Sequence, residues 1–176
     1  MSLPYIAQAA DHQRLEWIGG GVMNVLFDAE ATDGQLVVLR SQLPSGSAAP
    51  IHVHSMEDEM FVMLEGTGIF WVGKDRYELS AGGVVFLPRD IPHAYRFTSE
   101  SVDLLTMCTP AGIEGFFRSA GWDLSTPKPE GWALTPETMK TAAVHYGQQI
   151  LGGPLGPDEF IPAELLRARP PTEQAR

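Results

Sequence analysis

The sequence predicts an all-β fold, either a sandwich or a closed barrel, followed by short C-terminal helices. Strand-like segments recur every few residues between Val22 and Thr109, and Gly or Pro separates most of them, as in EGTG, VGKD, SAGG and PRDIP. The chain holds 18 Gly and 14 Pro, which favours many turns over a helical bundle. Many short strands with frequent turns are typical of sandwiches and barrels.

The first predicted strands form a hairpin. Residues 1–19 are expected as a lead-in with room for a short edge strand. Strands at Val22–Asp28 and Gln35–Leu43 are joined by a turn at Ala31–Gly34, and Leu43–Pro50 is expected as a loop. The later strands are expected at Ile51–His54, Glu59–Leu64, Gly68–Val72, Tyr77–Leu79, Val84–Leu87, His93–Phe97 and Val102–Thr109.

Two helices are expected after the last strand. The segment Pro110–Gly121 has apolar residues at helical spacing and a final Gly. The segment Thr135–Gly147 has Thr as N-cap, Pro at the first helical position and Gly at its end. The tail from Pro154 onward is rich in Pro and charge, so it either packs as an arm or is partly disordered.

The length of 176 residues suits one domain with a sizeable core. We expect this domain to comprise an N-terminal arm with the first strands (1–34), a barrel core (35–110), and C-terminal helices with a tail that pack on the barrel (111–176).

Composition excludes several classes of partner. The formal net charge of −10 repels phosphate backbones, which argues against nucleic-acid binding. No segment approaches the ~20 apolar residues that span a bilayer, and no basic amphipathic helix indicates a membrane surface. The single cysteine, Cys108, cannot form an internal disulfide and fits a reducing compartment. With no signal-peptide pattern at the N-terminus, the expected location is the cytoplasm.

Two of the five histidines, His52 and His54, are one residue apart in a predicted strand. Because side chains alternate between strand faces, both imidazoles point the same way, with roughly 6–7 Å between their Cα atoms. Glu59 opens the next predicted strand, and Phe61 and Met63 share its face. These residues predict a metal pocket with apolar neighbours inside a barrel.

A third imidazole, His93, lies in the later segment LPRDIPHAYRF. Three His nitrogens and one Glu oxygen suit one divalent transition metal, which can be Fe, Mn, Ni, Co, Cu or Zn. Calcium and magnesium prefer shells made only of oxygen atoms. Four protein ligands leave one or two positions for water, dioxygen or substrate.

The first of these segments resembles the first motif of the cupin superfamily. Gly46 is followed by five residues, then by His52-Val53-His54, four residues, Glu59, six residues and Gly66, and every spacing fits that motif.

The second cupin motif is matched in part. Gly82 is followed by five residues and Pro88, and His93 lies at the motif position of a ligand. Asp90 stands where the family usually has Gly, and Phe97 stands where it usually has Asn. Neither position holds a ligand in the family, and Asp tolerates a positive φ better than most residues.

The flanking strands and trailing helices resemble small single-domain cupins of the quercetin 2,3-dioxygenase type. The resemblance implies a double-stranded β-helix, or jelly-roll cupin barrel. It also implies a metal bound by His52, His54, Glu59 and His93, with Glu59 as the base that takes a proton from a substrate hydroxyl. The activity implied is that of a metal-dependent dioxygenase, an oxidoreductase acting on a small enol, phenol or flavonol-like organic substrate together with dioxygen.

Two other functions remain open. One is a metal-dependent isomerase or cyclase acting on a polyketide-like or β-dicarbonyl substrate without oxygen chemistry. The other is a small-molecule-binding cupin without catalytic activity, because a fold does not determine a function.

Some residues have two interpretations. The side chains expected to line the substrate pocket are those of Phe61, Met63, Tyr95 and Phe97, although Tyr95 suits core packing equally well. Glu57 shares the face of Glu59, so it is either a partner of the metal ligands or, as we favour, a solvated loop acid.

Small cupins often dimerise through their arms, and the resemblance therefore favours a homodimer. Apolar residues at both ends could cover a partner's sheet, or both arms could fold back on their own barrel. These residues are Ile6, Leu15, Trp17, Phe160, Ile161, Leu165 and Leu166.

Overall fold

The computed structural model describes residues 4–168, which form two antiparallel β-sheets and three α-helices. This confirms the predicted all-β jelly-roll fold. The strands are β1 Gln13–Glu16, β2 Val22–Phe27, β3 Val37–Pro44, β4 Ala48–His54, β5 Asp58–Glu65, β6 Thr67–Val72, β7 Asp75–Ser80, β8 Val84–Leu87, β9 His93–Phe97, β10 Ser101–Thr109, β11 Trp122–Asp123 and β12 Gln148–Ile150. The helices are α1 Ala29–Thr32, α2 Glu114–Ala120 and α3 Pro136–His145, with short 3₁₀ turns at Ala9–Asp11, Ile18–Gly20 and Leu165–Arg167.

The two sheets enclose the core between their inner faces. One sheet has seven strands in the order β11-β1-β2-β3-β10-β5-β8, and the other has five in the order β12-β4-β9-β6-β7. Strand β5 shows the expected alternation, because Glu59, Phe61 and Met63 are buried whereas Met60 and Val62 are only half-buried. The main core joins residues of both sheets, and each large apolar side chain buried there stabilises the fold by about 1.5–3 kcal/mol.

The connections between the early strands differ from the sequence prediction. The expected turn at Ala31–Gly34 is replaced by the one-turn helix α1, which Asp28 caps by accepting a hydrogen bond from the Ala31 N–H at 3.0 Å. The expected loop at Leu43–Pro50 is mostly strand. Gly46, at a φ of 75°, allows a tight turn in this connection, so that only residues 45–47 lie outside β3 and β4.

The two C-terminal helices lie close together beyond the last barrel strands. Thr135 caps α3 as predicted, and its Oγ1 accepts a hydrogen bond from the Thr138 N–H at 3.2 Å. Helix α2 begins only at Glu114, later than predicted, because Gly112 has a φ of 142° that no helix accommodates. None of the helices within residues 4–168 is long and apolar enough to cross a membrane.

The described part of the tail packs as an arm against the outer face of the five-stranded sheet. Leu155 and Ile161 are buried in a second apolar cluster that includes Trp71. The Trp71 indole N–H donates to the Glu159 carbonyl at 2.8 Å, and the Arg96 guanidinium donates to the Leu155 carbonyl at 2.6 Å. The part of the tail beyond residue 168 lies outside the described residues.

The side chains considered for a dimer interface are mostly used within their own chain. Leu15 and Trp17 belong to the main core, and Ile161 belongs to the second cluster. Ile6 and Phe160 are the ones that stay exposed, at 87% and 58%. Leu165 and Leu166 are partly buried against the second cluster, so most of these side chains stabilise the folded chain itself.

Candidate metal centre and cavity

The four predicted metal ligands come from three strands of the two sheets. His52 and His54 lie at the end of β4, His93 begins β9, and β4–β9 pairing places His52 opposite His93. Glu59 reaches the same point from β5 in the other sheet. One donor atom from each side chain lies within 4.8 Å of those of the other three, and His93 Nε2 is 3.5 Å from Glu59 Oε2.

The segment before β9 sets the position of His93. Asp90 adopts a φ of 64°, the left-handed conformation that the cupin motif usually assigns to Gly. Its backbone N–H donates to the His54 carbonyl at 2.8 Å, which ties this segment to the end of β4. Arg89 stabilises the same segment, because its guanidinium donates two hydrogen bonds to the Asp58 carboxylate, at 3.0 and 2.9 Å. Asp58 is therefore a half-buried ion-pair partner at the start of β5.

Backbone carbonyls orient two of the imidazoles. His52 Nδ1 is 2.8 Å from the Pro50 oxygen, and His93 Nδ1 is 2.9 Å from the Ile91 oxygen. Because a carbonyl only accepts, each Nδ1 carries the hydrogen and each Nε2 presents its lone pair. In both cases the acceptor lies two residues before the His. The local backbone therefore fixes the tautomer in which Nε2 is free to bind a metal.

A carboxylate lies near the third imidazole but beyond hydrogen-bond distance. His54 Nδ1 is 3.7 Å from Glu57 Oε2, and neither atom has a hydrogen-bond partner within residues 4–168. Glu57 is only 2% exposed, so the favoured interpretation of a solvated loop acid is wrong. It is part of the short connection between β4 and β5, which turns its side chain inward beside His54. Burial raises the pKa of Glu57 to about 7.

The cluster fits a divalent transition metal. His54 Nε2, Glu59 Oε2 and His93 Nε2 are buried and lack hydrogen-bond partners among the described residues, an arrangement that costs free energy unless a cation satisfies them. Burial lowers the pKa of His52 to about 3 and that of His54 well below its usual range, so both rings are neutral. Neutral imidazole is the form that binds metals, and the donor set is that of a transition-metal site.

An apolar cavity adjoins the cluster. Its volume is about 50 Å³, which is room for roughly three to five water molecules. Three cluster residues reach it, and none of the side chains lining it belongs to Lys or Arg. The lining residues are Trp17, Ile18, Ala49, Pro50, His52, His54, Glu59, Tyr95, Ile113, Phe116, Phe117, Met139, Gln148 and Ile150.

Only one of the four side chains expected in the pocket lines this cavity. It is Tyr95, whose pKa is raised by burial, so its hydroxyl stays protonated as a hydrogen-bond donor. Phe61, Met63 and Phe97 belong to the core instead. Phe61 and Phe97 pack against the Tyr95 ring at centroid distances of 5.4 and 4.9 Å, and so support it from inside the core.

Cys108 is buried in the main core. Its Sγ is 3.9 Å from Glu59 Oε1, and burial raises the pKa of the thiol well above its usual value. The thiol is therefore neutral, and it is a weak donor to the carboxylate that faces the cluster.

Comparison with known proteins identifies the family. Residues 39–109 match the family model described as Cupin domain, and this segment contains all four cluster residues. Residues 39–109 therefore form a cupin domain.

Among curated relatives, this cupin is 28% identical over 120 residues to quercetin 2,3-dioxygenase of Bacillus subtilis. The match covers 68% of this chain and 35% of the relative, so the chain spans about a third of that relative's length.

Two solved structures share the fold at low sequence identity. An RmlC-like cupin from Shewanella frigidimarina has a TM-score of 0.53 at 19% identity, with 64% of this chain and 96% of that chain covered. Pac13 from Streptomyces, described as a nucleoside dehydratase, has a TM-score of 0.52 at 15% identity, with 64% and 87% covered. This structural similarity supports the barrel fold. The reaction has to be argued from the residues of the site.

Several cavity residues of this cupin escaped the sequence interpretation. Phe116 and Phe117 belong to the apolar residues at helical spacing in the segment Pro110–Gly121, and that spacing does not indicate that they line a cavity. Met139, Gln148 and Ile150 come from segments without any motif. Their role depends on how α3 and β12 pack against β4, which is a tertiary property.

Proposed function

We propose that this cupin is a metal-dependent dioxygenase that acts on a small enol or phenol. The observation that carries the proposal is the position of Glu59, which belongs to the four-residue cluster and also lines the apolar cavity. A carboxylate in that position can accept a substrate proton where the metal is bound. A divalent transition metal held by the cluster would supply Lewis acidity and, if redox-active, electron transfer.

The surrounding residues support binding of a planar, uncharged or monoanionic molecule. The rings of Phe116, Phe117 and Trp17 pack edge to face against one another, with centroid distances of 5.0–5.6 Å, and give the cavity an apolar wall that excludes water. Tyr95 contributes a neutral hydroxyl donor. Because none of the lining side chains carries a positive charge, a sugar phosphate would find no counter-ion.

In the proposed reaction the chain's own groups have separate tasks. Glu59 accepts the proton of the substrate hydroxyl through its carboxylate oxygens. The Tyr95 hydroxyl, which stays protonated, donates a hydrogen bond to the resulting oxyanion. The aromatic wall orients the ring or double bond and keeps water away from it. Dioxygen then cleaves the carbon–carbon double bond of the enolate, one oxygen atom enters each of the two products, a carboxylate and an aldehyde or ketone, and the proton on Glu59 passes to solvent.

An isomerase or cyclase acting on a β-dicarbonyl is the second candidate. The observation that favours it is the combination of a carboxylate and a protonated phenol on one cavity, because together they can move a proton without any oxidant.

The test begins with elemental analysis of untagged protein, followed by an oxygen-electrode screen of small enols, catechols, β-diketones and flavonols. Oxygen uptake that depends on the bound metal and is abolished by Glu59→Gln supports the dioxygenase. Glu100→Gln, at an exposed site, is the matched control and should keep full activity.

Turnover under nitrogen would contradict the dioxygenase and support the isomerase, while saturable binding without any turnover would indicate a binding protein.

A further inference from the structure

The short strand β12 places one polar side chain beside the metal cluster. β12 pairs with β4 so that Gln148 lies opposite His54 and Ile150 lies opposite His52. Opposite residues of an antiparallel pair project from the same face, with Cβ atoms about 4.5–5.5 Å apart. Gln148 therefore shares the inward face of the two histidines.

The amide of Gln148 is buried at the cavity without a hydrogen-bond partner. The residue is 7% exposed and lines the cavity, and its Nε2 has no partner within the described chain. Leaving a buried donor unsatisfied costs roughly 1–3 kcal/mol. Such a cost is tolerated where a ligand supplies the missing acceptor.

The backbone holds this amide in a fixed position. The carbonyl of Gly147, the residue before it, accepts hydrogen bonds from both the N–H and the hydroxyl of Ser55, each at 2.9 Å. Ser55 directly follows His54, so the same turn positions a predicted ligand and the start of β12. The amide therefore projects from a paired strand next to the cluster. A side chain on a strand is held more precisely than one on a loop, which suits specific recognition of a ligand.

We propose that Gln148 is a substrate-binding residue that selects small molecules carrying two oxygen atoms on neighbouring or next-neighbouring carbons, such as the enol of a β-dicarbonyl. One oxygen reaches the four-residue cluster, and the second accepts a hydrogen bond from the Gln148 amide. This inference rests on the proposed function because it concerns the same cavity, yet it applies equally to the dioxygenase and to the isomerase.

The chemistry of the cavity explains why two oxygens are required. Away from the cluster, the side-chain donors on the cavity wall are neutral groups, among them the Tyr95 hydroxyl and the Gln148 amide. Neutral donors suit a carbonyl or an enolate oxygen, whereas a phosphate or dicarboxylate would need cationic partners. A simple phenol would leave the Gln148 amide unsatisfied, and a site with an unpaired buried donor discriminates against such a ligand.

The experiment measures ligand binding to cobalt(II)-loaded protein under nitrogen, followed by the visible absorption of the metal. Acetylacetone is the two-oxygen probe, and azide is a probe that needs only the metal. Gln148→Met keeps the length of the side chain and removes its donors. It should weaken acetylacetone binding roughly tenfold and leave azide binding within about twofold. Gln148→Leu repeats the test if the Met variant folds poorly.

The neighbouring residue provides a matched control. Gln149 is exposed on the opposite face of β12, so Gln149→Met should leave both affinities unchanged. An unchanged acetylacetone affinity in Gln148→Met would refute the proposal. An equal loss for both probes would also refute it, since Gln148 would then act on the metal cluster. Because no oxygen is present, these outcomes are independent of whether the protein proves to be a dioxygenase.

Discussion

Replacing Glu57 by Gln should remove a pH-dependent loss of stability from the metal-free protein, and it should weaken metal binding. The wild-type carboxyl is 2% exposed, and burial raises its pKa from a usual value of 4.5 to about 7. Between these two values the folded state keeps the proton and the unfolded state releases it. Folding stability contributed by this group therefore falls as pH rises through that interval.

The size of the effect follows from the two pKa values. A difference of 2.5 units at 1.36 kcal/mol per unit amounts to a full penalty of about 3 kcal/mol, most of it already present at about pH 8. At about pH 5 the penalty is below 1 kcal/mol. The stability of Glu57→Gln relative to the wild type should therefore increase by about 2.5 kcal/mol between about pH 5 and about pH 8. Any constant cost of burying the amide cancels in this comparison.

The assay is urea unfolding of the metal-free proteins at both pH values. Glu100→Gln serves as the control and should show no pH-dependent difference, because Glu100 is exposed. A Glu57→Gln curve that follows the wild type at both pH values would refute the reasoning. Metal affinity, measured by competition with a chelator, should fall about 10- to 100-fold, because a neutral amide orients the His54 imidazole less firmly than a carboxylate.

Three further predictions concern the cluster, the core and the tail. His52→Ala should remove most of the bound metal in elemental analysis and leave the far-ultraviolet circular dichroism unchanged. His145→Ala, at an exposed helix position, should keep the bound metal. Phe97→Asn should destabilise the fold by about 3–5 kcal/mol in urea unfolding, because it removes a buried ring that packs on Tyr95; an unaltered midpoint would contradict its core role. Ile161→Ala should lower the free energy of unfolding by about 2–4 kcal/mol, and the exposed Phe160→Ala should lower it by less than about 0.5 kcal/mol. Equal losses would show that the tail does not pack as described.

The candidate metal centre could be predicted from the sequence because its signals are local. The period of two in β4 puts His52 and His54 on one face, and motif spacing supplies Glu59 and His93. The same alternation correctly assigned the buried face of β5. These predictions needed no knowledge of how distant segments pack.

The errors arose where tertiary packing decides the environment. Glu57 shares the strand face of Glu59, and the interpretation as a solvated loop acid is wrong because the turn after β4 buries its carboxylate 3.7 Å from His54 Nδ1. Phe61 and Phe97 share inward faces with the ligands, but inward positions further along a strand belong to the core rather than to the cavity. The position of Gln148 at the cavity could not be predicted, because β12 is only three residues long and its pairing with β4 is a tertiary contact.

The two ingredients of the site come from different parts of the chain. The segment shared with the family, residues 39–109, contributes the cluster, whereas Trp17, Phe117, Met139 and Gln148 approach from outside that segment. The helices and the last strand can therefore be changed, and with them the wall of the cavity, without altering any of the four cluster residues. A graft of residues 111–150 between related barrels would be the corresponding engineering route to a new selectivity.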